Sequence, residues 1–170
     1  ELGLDNQVKF ELIDYREAKG NYDRIYSVGM FEHVGKKFYS TFFKTMNRLL
    51  KDDGLFLLHT IGVVDKPSPP NKFINKYIFP GGVCPSLSQI ITPLEKTGLI
   101  VADSETLIRH YDKTLESWLE RFLNKKNLVK DLFDEKFVKM WEFYLASCAA
   151  AFRYRDLVVF QLQIVKNFQS

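Results

Sequence analysis

The chain has 170 residues, of which 46% are apolar and 26% are charged. These fractions are typical of one globular domain and exclude a disordered, collagen-like or coiled-coil protein. A net charge of +3 without a long run of one sign is too small to predict binding to nucleic acid, although it is compatible with attraction to an anionic lipid surface.

The simplest sequence signals indicate neither a membrane span nor a metal site. Residues 55–64 form the most apolar run, which is too short to cross a membrane and contains His59. Cys84 and Cys148 lie far apart without the spacing of a disulfide framework or a zinc site, so we expect no metal and a reducing cytoplasm. The lack of a spanning run predicts a soluble or peripheral protein. Because the chain begins with Glu1 and no targeting pattern follows, we expect it to be a piece of a longer protein.

The first half of the chain predicts a strand, a strand with a following helix, and a further strand. Residues 8–13 alternate apolar and polar side chains, which predicts a half-exposed edge strand, and residues 23–29 predict a second strand. Apolar residues at helical spacing follow over 38–50, and the Asp-Gly pair at 53–54 marks the end of that helix. The apolar run 55–58 is typical of a strand buried on both faces of a parallel sheet.

The second half predicts an insertion followed by further helices and strands. Residues 62–86 are rich in proline and glycine and predict a mostly looped insertion over the sheet, with a short aromatic segment at 73–79. The elements predicted after it are, in chain order, a helix over 86–97, a strand over 99–109, helices over 115–123 and 133–152, and a strand over 157–165. Strands that alternate with helices predict an α/β fold with a mainly parallel sheet, and the lack of a linker or repeat predicts one domain over 1–170.

Polar residues follow the predicted strands at the edge where ligands bind in α/β folds. Glu32 follows the second strand and His59 the third, and a right-handed crossover would bring these two residues to one edge. A carboxylate and an imidazole there can bind a small polar species or move a proton. The spacing alone favours a simpler interpretation, in which each side chain caps a helix or satisfies a backbone group, and Asp14 after the first strand has the same alternative.

Other polar groups also have simple structural interpretations. Asp112 precedes a predicted helix and is interpreted as its N-cap. Cys148 lies on the apolar stripe of the longest predicted helix, where a cysteine is usually a small hydrophobic side chain rather than a nucleophile. Arg153 and Arg155 could meet a phosphate, but an ion pair with Asp156 is the preferred interpretation.

Five longer segments of the sequence resemble one family of enzymes. They are YDRIYSVGMFEHVG at 22–35, GLFLLHTIG at 54–62, FINKYIFPGG at 73–82, YDKTL at 111–115 and YLASCAAAFR at 144–153. These segments are distributed over nearly the whole chain, and they resemble cyclopropane-fatty-acyl-phospholipid synthases and their mycolic-acid relatives. The resemblance implies the class I S-adenosylmethionine-dependent methyltransferase fold, with a Rossmann-like sheet. It also implies transfer of a methylene unit from S-adenosylmethionine to a cis double bond of a phospholipid acyl chain, which forms a cyclopropane ring.

The same resemblance assigns roles to particular residues. It implies a bicarbonate ion that takes up the proton released in the reaction, bound by Glu32, His59, the backbone of Ile61 and Tyr111. Imidazole and phenol donors suit such an anion, while a carboxylate accepts the O–H of bicarbonate. Cys148 is included as an active-site residue, although methyl transfer to an alkene needs no covalent nucleophile.

Contacts with the cofactor and the acyl chain are implied in the same way. The residues implied for S-adenosylmethionine are Asp14 and Tyr15 near the adenine, and Ser27, Val28 and His33 along the nucleoside wall. The rings of the aromatic segment, namely Phe73, Tyr77 and Phe79, are expected to line an acyl-chain pocket and to stabilise a transient cation through their faces.

Two elements of the family's cofactor site are absent from the sequence. They are the glycine-rich loop after the first strand and the acidic residue after the second strand. In class I methyltransferases the strand order is 3-2-1-4-5-7-6, and this chain supplies what resemble strands three to seven. The resemblance therefore implies an incomplete sheet that lacks its first two strands.

Two functional hypotheses follow. In the first, the chain is the carboxyl part of a cyclopropane synthase that is cytoplasmic, peripheral at the inner membrane surface, and inactive without its amino-terminal part. In the second, it is a non-catalytic truncated fragment that keeps a lipid-binding pocket but not cofactor binding. The strand at 23–29 has a free edge in both cases, so we expect the chain to form a homo-oligomer.

Overall fold

The computed structural model describes residues 3–4, 6–66 and 71–167, and its centre is a four-stranded mixed sheet. In chain order the strands are β1 (Tyr22–Val28), β2 (Leu50–Val63), β3 (Ile100–Leu107) and β4 (Leu157–Val165). Their order across the sheet is β1-β2-β4-β3, in which β1 and β2 are parallel and β4 is antiparallel to both of its neighbours. The predicted α/β fold is confirmed, and the order corresponds to 4-5-7-6 of the class I arrangement. The expected mainly parallel sheet is wrong for the described ranges, because only one of their strand pairs is parallel.

Helices lie between the strands and on both faces of the sheet. In chain order they are α1 (Phe31–Val34), α2 (Tyr39–Leu49), α3 (Lys72–Tyr77), α4 (Leu87–Glu95), α5 (His110–Asn124), α6 (Lys126–Leu132) and α7 (Glu135–Tyr154). Two short 3-10 helices, Tyr15–Glu17 and Lys36–Phe38, precede β1 and α2. Within the described ranges, no helix has the length and apolar character needed to span a bilayer.

The predicted edge strand at residues 8–13 is wrong, because this segment is exposed and forms no strand. Phe10 and Leu12 are 94% and 105% exposed, so the apolar half of the alternating pattern remains in solvent. Alternation produces a strand only where a neighbouring strand supplies hydrogen bonds and a core receives the apolar face. In the class I order the third strand pairs with the second strand, which this sequence lacks.

Helices α2 and α4 cover one face of the sheet and form the larger core with it. The apolar residues of α2 repeat at three and four positions, and Phe42, Phe43 and Met46 are at most 5% exposed. They pack against the fully buried Phe56 and Leu58 of β2. Burial of this stripe holds α2 against the sheet, and the short segment before α2 is thereby held at the carboxyl end of β1.

The opposite face of the sheet is covered near the carboxyl end of β2. Helices α5 and α7 pack against each other and against Ile61 and Val159, which forms a second core. Toward the amino end of β2 this face is open in the described structure, since Tyr26 is 77% exposed and its partner Leu57 is half-buried. The expectation that the run 55–58 is buried on both faces is therefore fulfilled on one face only.

Two elements, β2 and α5, begin five residues before their predicted starts. β2 begins at Leu50 because the chain enters the strand directly from α2, and a register shift between Tyr22 and Arg24 of β1 accommodates the additional residues. α5 begins at His110, which places Asp112 inside its first turn. The prediction that Asp112 is the N-cap is therefore wrong.

Candidate active site

The candidate site lies where β1 ends and β2 continues. β1 pairs with β2 as far as Val28 and His59, and Gly29, at φ +65°, turns the chain into α1. The Gly29 N–H donates to the carbonyl of His59 over 3.1 Å. β2 runs on to Val63, so no described strand pairs with its outer edge beyond this point.

Glu32 of α1 occupies that edge of β2. Its Oε1 accepts a hydrogen bond from the Ile61 N–H over 2.7 Å, across 29 positions of sequence. The residue is 8% exposed, and its backbone carbonyl accepts from the Val83 N–H over 2.9 Å. These bonds fix the carboxylate between the end of β2 and the loop before α4. The predicted approach of Glu32 to the strand that carries His59 is therefore found in the structure.

The second carboxylate oxygen of Glu32 is unpaired. Oε2 is buried and has no hydrogen-bond partner among the described residues. Leaving a buried acceptor without a donor costs about 1–3 kcal/mol, and more when the group is charged. An O–H or N–H of a bound molecule would remove this cost, so Oε2 is a ready acceptor for a ligand.

Tyr111 and Cys84 are electrostatic neighbours of Glu32, and Cys148 adjoins both of them. Burial raises the pKa of the Tyr111 hydroxyl, and the negative charge of Glu32 raises it further. Burial raises the pKa of Cys84 to about 12, again with a contribution from Glu32, and it raises the pKa of Cys148 to about 11. At neutral pH the phenol is a donor and both thiols are protonated, so Cys148 is unsuited to nucleophilic attack.

The start of α5, which carries Tyr111, is tied to α7. Asp112 is 3% exposed and accepts two hydrogen bonds from the guanidinium of Arg153, over 2.8 and 2.9 Å. These bonds lower the pKa of Asp112. Arg153 also pairs with a second carboxylate of α5, so the predicted ion pair with Asp156 is wrong. Asp156 lies beyond the end of α7, whereas Asp112 faces Arg153 across the two packed helices.

His59 lies on the same face of β2 as Ile61, because alternate residues of a strand face the same way. The imidazole is half-buried, and its Nδ1 is 3.0 Å from Oε1 of Gln161 in β4. The structure thus gathers, at the carboxyl end of β2, the four residues that the resemblance implies for bicarbonate: Glu32, His59, Ile61 and Tyr111.

Asp14 and Tyr15, which the resemblance implies near the adenine, make their contacts elsewhere, in and around the 3-10 helix Tyr15–Glu17. Asp14 caps the 3-10 helix Tyr15–Glu17 and accepts from the Arg16 N–H over 2.9 Å, which is the simpler alternative interpretation. Hydrogen bonds from Arg16 lower the pKa of Asp14 to about 2. The ring of Tyr15 packs on Phe42 of the larger core, with 5.6 Å between ring centroids.

The residues implied for the nucleoside wall are divided between the faces of the sheet. Ser27 and Val28 are adjacent in β1 and therefore point to opposite faces. Ser27 is buried, and no described group bonds to its hydroxyl, whereas Val28 is 57% exposed on the open face. His33 is exposed, and its ring lies 5.6 Å from that of Phe79. The side chains of Ser27 and Val28 therefore do not lie on one face of the sheet.

The aromatic segment folds against α7. The side chain of Asn71 caps α3 by accepting from two N–H groups of its first turn. Phe73 meets Phe143 edge to face at 4.9 Å, and Phe79 meets Tyr144 at 6.1 Å. These rings give the carboxyl end of the sheet an apolar wall.

Sequence reasoning missed Cys84 and Gln161. Cys84 lies in the proline-rich insertion without a motif around it. Gln161 is one of two glutamines in a mostly apolar strand, and its importance depends on its register with His59, which only the strand pairing shows.

Comparison with known proteins points to one family. The family model described as mycolic acid cyclopropane synthetase matches residues 1–162. The cyclopropane-fatty-acyl-phospholipid synthase of Escherichia coli (strain K12) is 45% identical over 168 residues, which cover 99% of this chain and 43% of that protein. The tuberculostearic acid methyltransferase UfaA1 of Mycobacterium tuberculosis is 36% identical over 171 residues, which cover 97% of this chain and 40% of that protein. The chain therefore spans less than half the length of these relatives.

Solved structures agree with the sequence relatives. The cyclopropane synthase MmaA2 from Mycobacterium tuberculosis superposes with a TM-score of 0.82 at 30% identity, over 88% of this chain and 57% of that chain. The mycolic acid cyclopropane synthase CmaA1, complexed with SAH and CTAB, gives a TM-score of 0.81 at 32% identity with the same coverage.

Proposed function

Because this chain belongs to the mycolic acid cyclopropane synthetase family, we propose that it is the carboxyl part of a methyltransferase acting on phospholipid acyl chains. In the longer protein, S-adenosylmethionine supplies the methyl group that becomes the cyclopropane methylene at a cis double bond. The observation that carries the proposal is the buried, unpaired Oε2 of Glu32, whose negative charge also raises the pKa of the Tyr111 phenol. The proposed location is cytoplasmic and peripheral at the inner membrane surface, where such acyl chains are found.

Residues of this chain are proposed to help remove a proton from the methylated substrate. Methylation of a double bond leaves a carbocation, and ring closure requires the loss of a proton to a nearby acceptor. The group at the end of β2 fits a bicarbonate ion in that role, because Oε2 of Glu32 can accept its O–H while Tyr111 donates to its charge. The N–H of Ile61 already donates to Oε1 of Glu32, so in this geometry it acts by holding the carboxylate.

The aromatic rings at the carboxyl end of the sheet are proposed to protect the reacting carbon from water. A carbocation is destroyed by water, so the reacting carbon must be kept dry. Phe73, Phe79 and Tyr144 present rings at the end of the sheet, and ring faces attract a cation by about 0.5–2 kcal/mol. The segment 73–79 is therefore proposed to hold the acyl chain.

We propose that this chain alone does not bind S-adenosylmethionine. Tyr15 and Ser27 lie on the α2 side of the sheet and Val28 on the open side, and the glycine-rich loop is absent from the sequence. Calorimetric titration of the 170-residue chain with S-adenosylhomocysteine is expected to give no saturable heat. Saturable binding would contradict a divided cofactor site. If S-adenosylhomocysteine does not bind but the chain still binds acyl chains, the result also fits the non-catalytic alternative.

Glu32→Gln in the full-length parent separates the catalytic role from a structural one. The amide keeps an oxygen for the Ile61 N–H, but it replaces Oε2 with a donor that cannot accept the O–H of an anion. We expect cyclopropanation of phospholipid vesicles to fall by about a hundredfold, within the range for a lost acid–base contribution, with affinity for S-adenosylhomocysteine unchanged. Glu95→Gln, at an exposed carboxylate of α4, is the matched control. Equal loss of rate and affinity would assign Glu32 a structural role instead.

We also propose that the isolated chain forms a homo-oligomer. The outer edge of β1 has no strand partner within the described ranges, and Tyr22 and Tyr26 on this strand are 44% and 77% exposed. An unpaired edge is a template for pairing with a second copy. A light-scattering mass equal to one chain at high concentration would count against it.

A further inference from the structure

A row of polar side chains crosses three strands at His59. His59, Gln161 and Glu105 are direct partners in the pairing of β2 with β4 and of β4 with β3. Nδ1 of His59 is 3.0 Å from Oε1 of Gln161, and Nε2 of Gln161 donates to Oε2 of Glu105 over 2.8 Å. The imidazole of the candidate site is therefore connected to a carboxylate two strands away.

The carboxylate at the end of this row determines where the imidazole proton lies. The ionised carboxylate of Glu105 only accepts hydrogen bonds, so the NH2 of Gln161 must face it and the amide oxygen must face His59. An amide oxygen is also only an acceptor, so Nδ1 of His59 carries the hydrogen between them. In the neutral ring the lone pair is then on Nε2.

We propose that Gln161 and Glu105 are positioning residues that hold His59 as the Nδ1–H tautomer, with Nε2 as its proton-accepting atom. The use of this tautomer in catalysis rests on the proposed methyltransferase function. With Nδ1–H committed to Gln161, Nε2 can donate to a bound anion only after it has accepted a proton. Nε2 can take from the bound bicarbonate the proton that the bicarbonate has received from the methylated substrate, which regenerates the anion. The resulting imidazolium then stabilises the negative charge of that anion.

The adjacent row of the sheet provides an internal comparison. Gln163 and Asp103 occupy the same strands two positions along, and Nε2 of Gln163 donates to Oδ2 of Asp103 over 3.4 Å. Their partner in β2 is Leu57 rather than an imidazole. The two rows share strands, a face of the sheet and chemical type, although Gln161 is half-buried and Gln163 is exposed. Only the row of Gln161 contains a histidine to be oriented.

Nitrogen-15 NMR of the 170-residue chain tests the tautomer without requiring activity. The ring nitrogens of His33, His59 and His110 are recorded above the pH at which imidazole titrates, and His59→Asn assigns the signals of His59. We expect a protonated Nδ1 and an unprotonated Nε2 in the unmodified chain. Gln161→Leu is expected to produce a tautomer mixture, whereas Gln163→Leu leaves the tautomer unchanged.

Glu105→Gln gives a second variant at an exposed position, where the fold is not at risk. An amide at position 105 can donate or accept, so it no longer fixes which end of the Gln161 amide faces His59. The His59 tautomer is therefore expected to shift toward a mixture. A proton on Nε2 in the unmodified chain, or a tautomer that both Gln161→Leu and Glu105→Gln leave unchanged, would overturn the proposal.

Kinetics of the full-length parent test whether the tautomer matters. Gln161→Leu is expected to lower kcat by about ten- to a hundredfold, by analogy with the hydrogen-bond partners of metal-bound imidazoles, with KM unchanged and with Gln163→Leu near full rate. An unchanged kcat would overturn the positioning role even if the tautomer is as expected. If the unmodified parent transfers no methyl group to lipid, the proposed function fails while the NMR result for the tautomer is unaffected.

Discussion

Gly62→Ala is expected to destabilise the chain strongly, because two groups already occupy the space that its Cβ would need. A Cβ at position 62 would lie 2.4 and 2.6 Å from ring carbons of Phe160, and 2.6 Å from the carbonyl oxygen of Pro85. The Phe160 ring is 3% exposed in the larger core, and the Pro85 carbonyl accepts from the Val63 N–H over 3.0 Å. Neither group can move away without breaking packing or a hydrogen bond.

The cost follows from the size of the overlap. Ordinary contacts of a Cβ begin near 3.4 Å, so the ring or the strand must move by about 1 Å, which places the cost near 3 kcal/mol, at the upper end of the overpacking range. For a chain of this length each kcal/mol lowers Tm by about 2–4 °C, so the expected decrease is about 6–12 °C. Such a loss is a large part of the 5–15 kcal/mol that stabilises a typical domain.

Thermal and urea unfolding followed by circular dichroism measure this effect. Gly98→Ala is the control, because Gly98 has φ +78° and nothing within 4 Å of a built Cβ, so it tests backbone strain of about 1 kcal/mol without a clash. We expect Gly62→Ala to lose clearly more stability than Gly98→Ala. The reverse order, or a Gly62→Ala variant as stable as the unmodified chain, would refute the reasoning from steric overlap.

Further outcomes are expected from the buried polar groups. Arg153→Met leaves the buried carboxylate of Asp112 without its guanidinium partner, so Tm should fall. Adding Asp112→Asn removes the unpaired charge and should restore part of the lost Tm. The lowered pKa of Asp112 stabilises the fold above the ordinary aspartate pKa, so this contribution is lost as pH falls below about 4 in an acid titration. The pKa values of Cys84 and Cys148 are raised to about 12 and 11, so both thiols should react with iodoacetamide at pH 8 far more slowly than in the unfolded chain. Because the thiols ionise more readily in the unfolded chain, the free energy of unfolding should decline as pH rises above about 9. Tyr39→Phe removes a buried hydroxyl that no described group bonds to, so the free energy of unfolding in a urea titration should stay the same or rise by up to about 1 kcal/mol. A clear decrease would show that the hydroxyl has a partner.

Much of the fold could be predicted from the sequence because its main elements have strong local patterns. β4 and the apolar core of β2 are nearly continuous apolar runs, and α7 repeats its apolar residues at helical spacing over 20 positions. α6 was not predicted, since its seven residues bury no side chain completely and therefore show no clear stripe. Residues 8–13 have the pattern of a strand, but pairing depends on a neighbour that lies outside the segment itself.

The candidate site was predictable to the extent that topology determines it. The right-handed crossover brings Glu32 to the end of β2, and this rule needs only the order of strands and helices. The partner of Asp112 lies 41 positions away on another helix, so local spacing could not reveal it and instead suggested a cap. Gln161 was missed for the same reason, because its role arises from register between strands that are distant in sequence.

The different lengths of β1 and β2 restrict how this region can change in evolution. Gly29 ends β1 early, and the Ile61 N–H that a longer strand would bind is left for the Glu32 carboxylate. Two residues inserted before Gly29 would let β1 continue, pair with that N–H and displace the carboxylate from its place. Loop insertions are tolerated at many positions in α/β proteins, but here strand pairing and the carboxylate compete for the same hydrogen. The junction between β1 and α1 is therefore a poor site for length variation, and engineered insertions or circular permutations should avoid it.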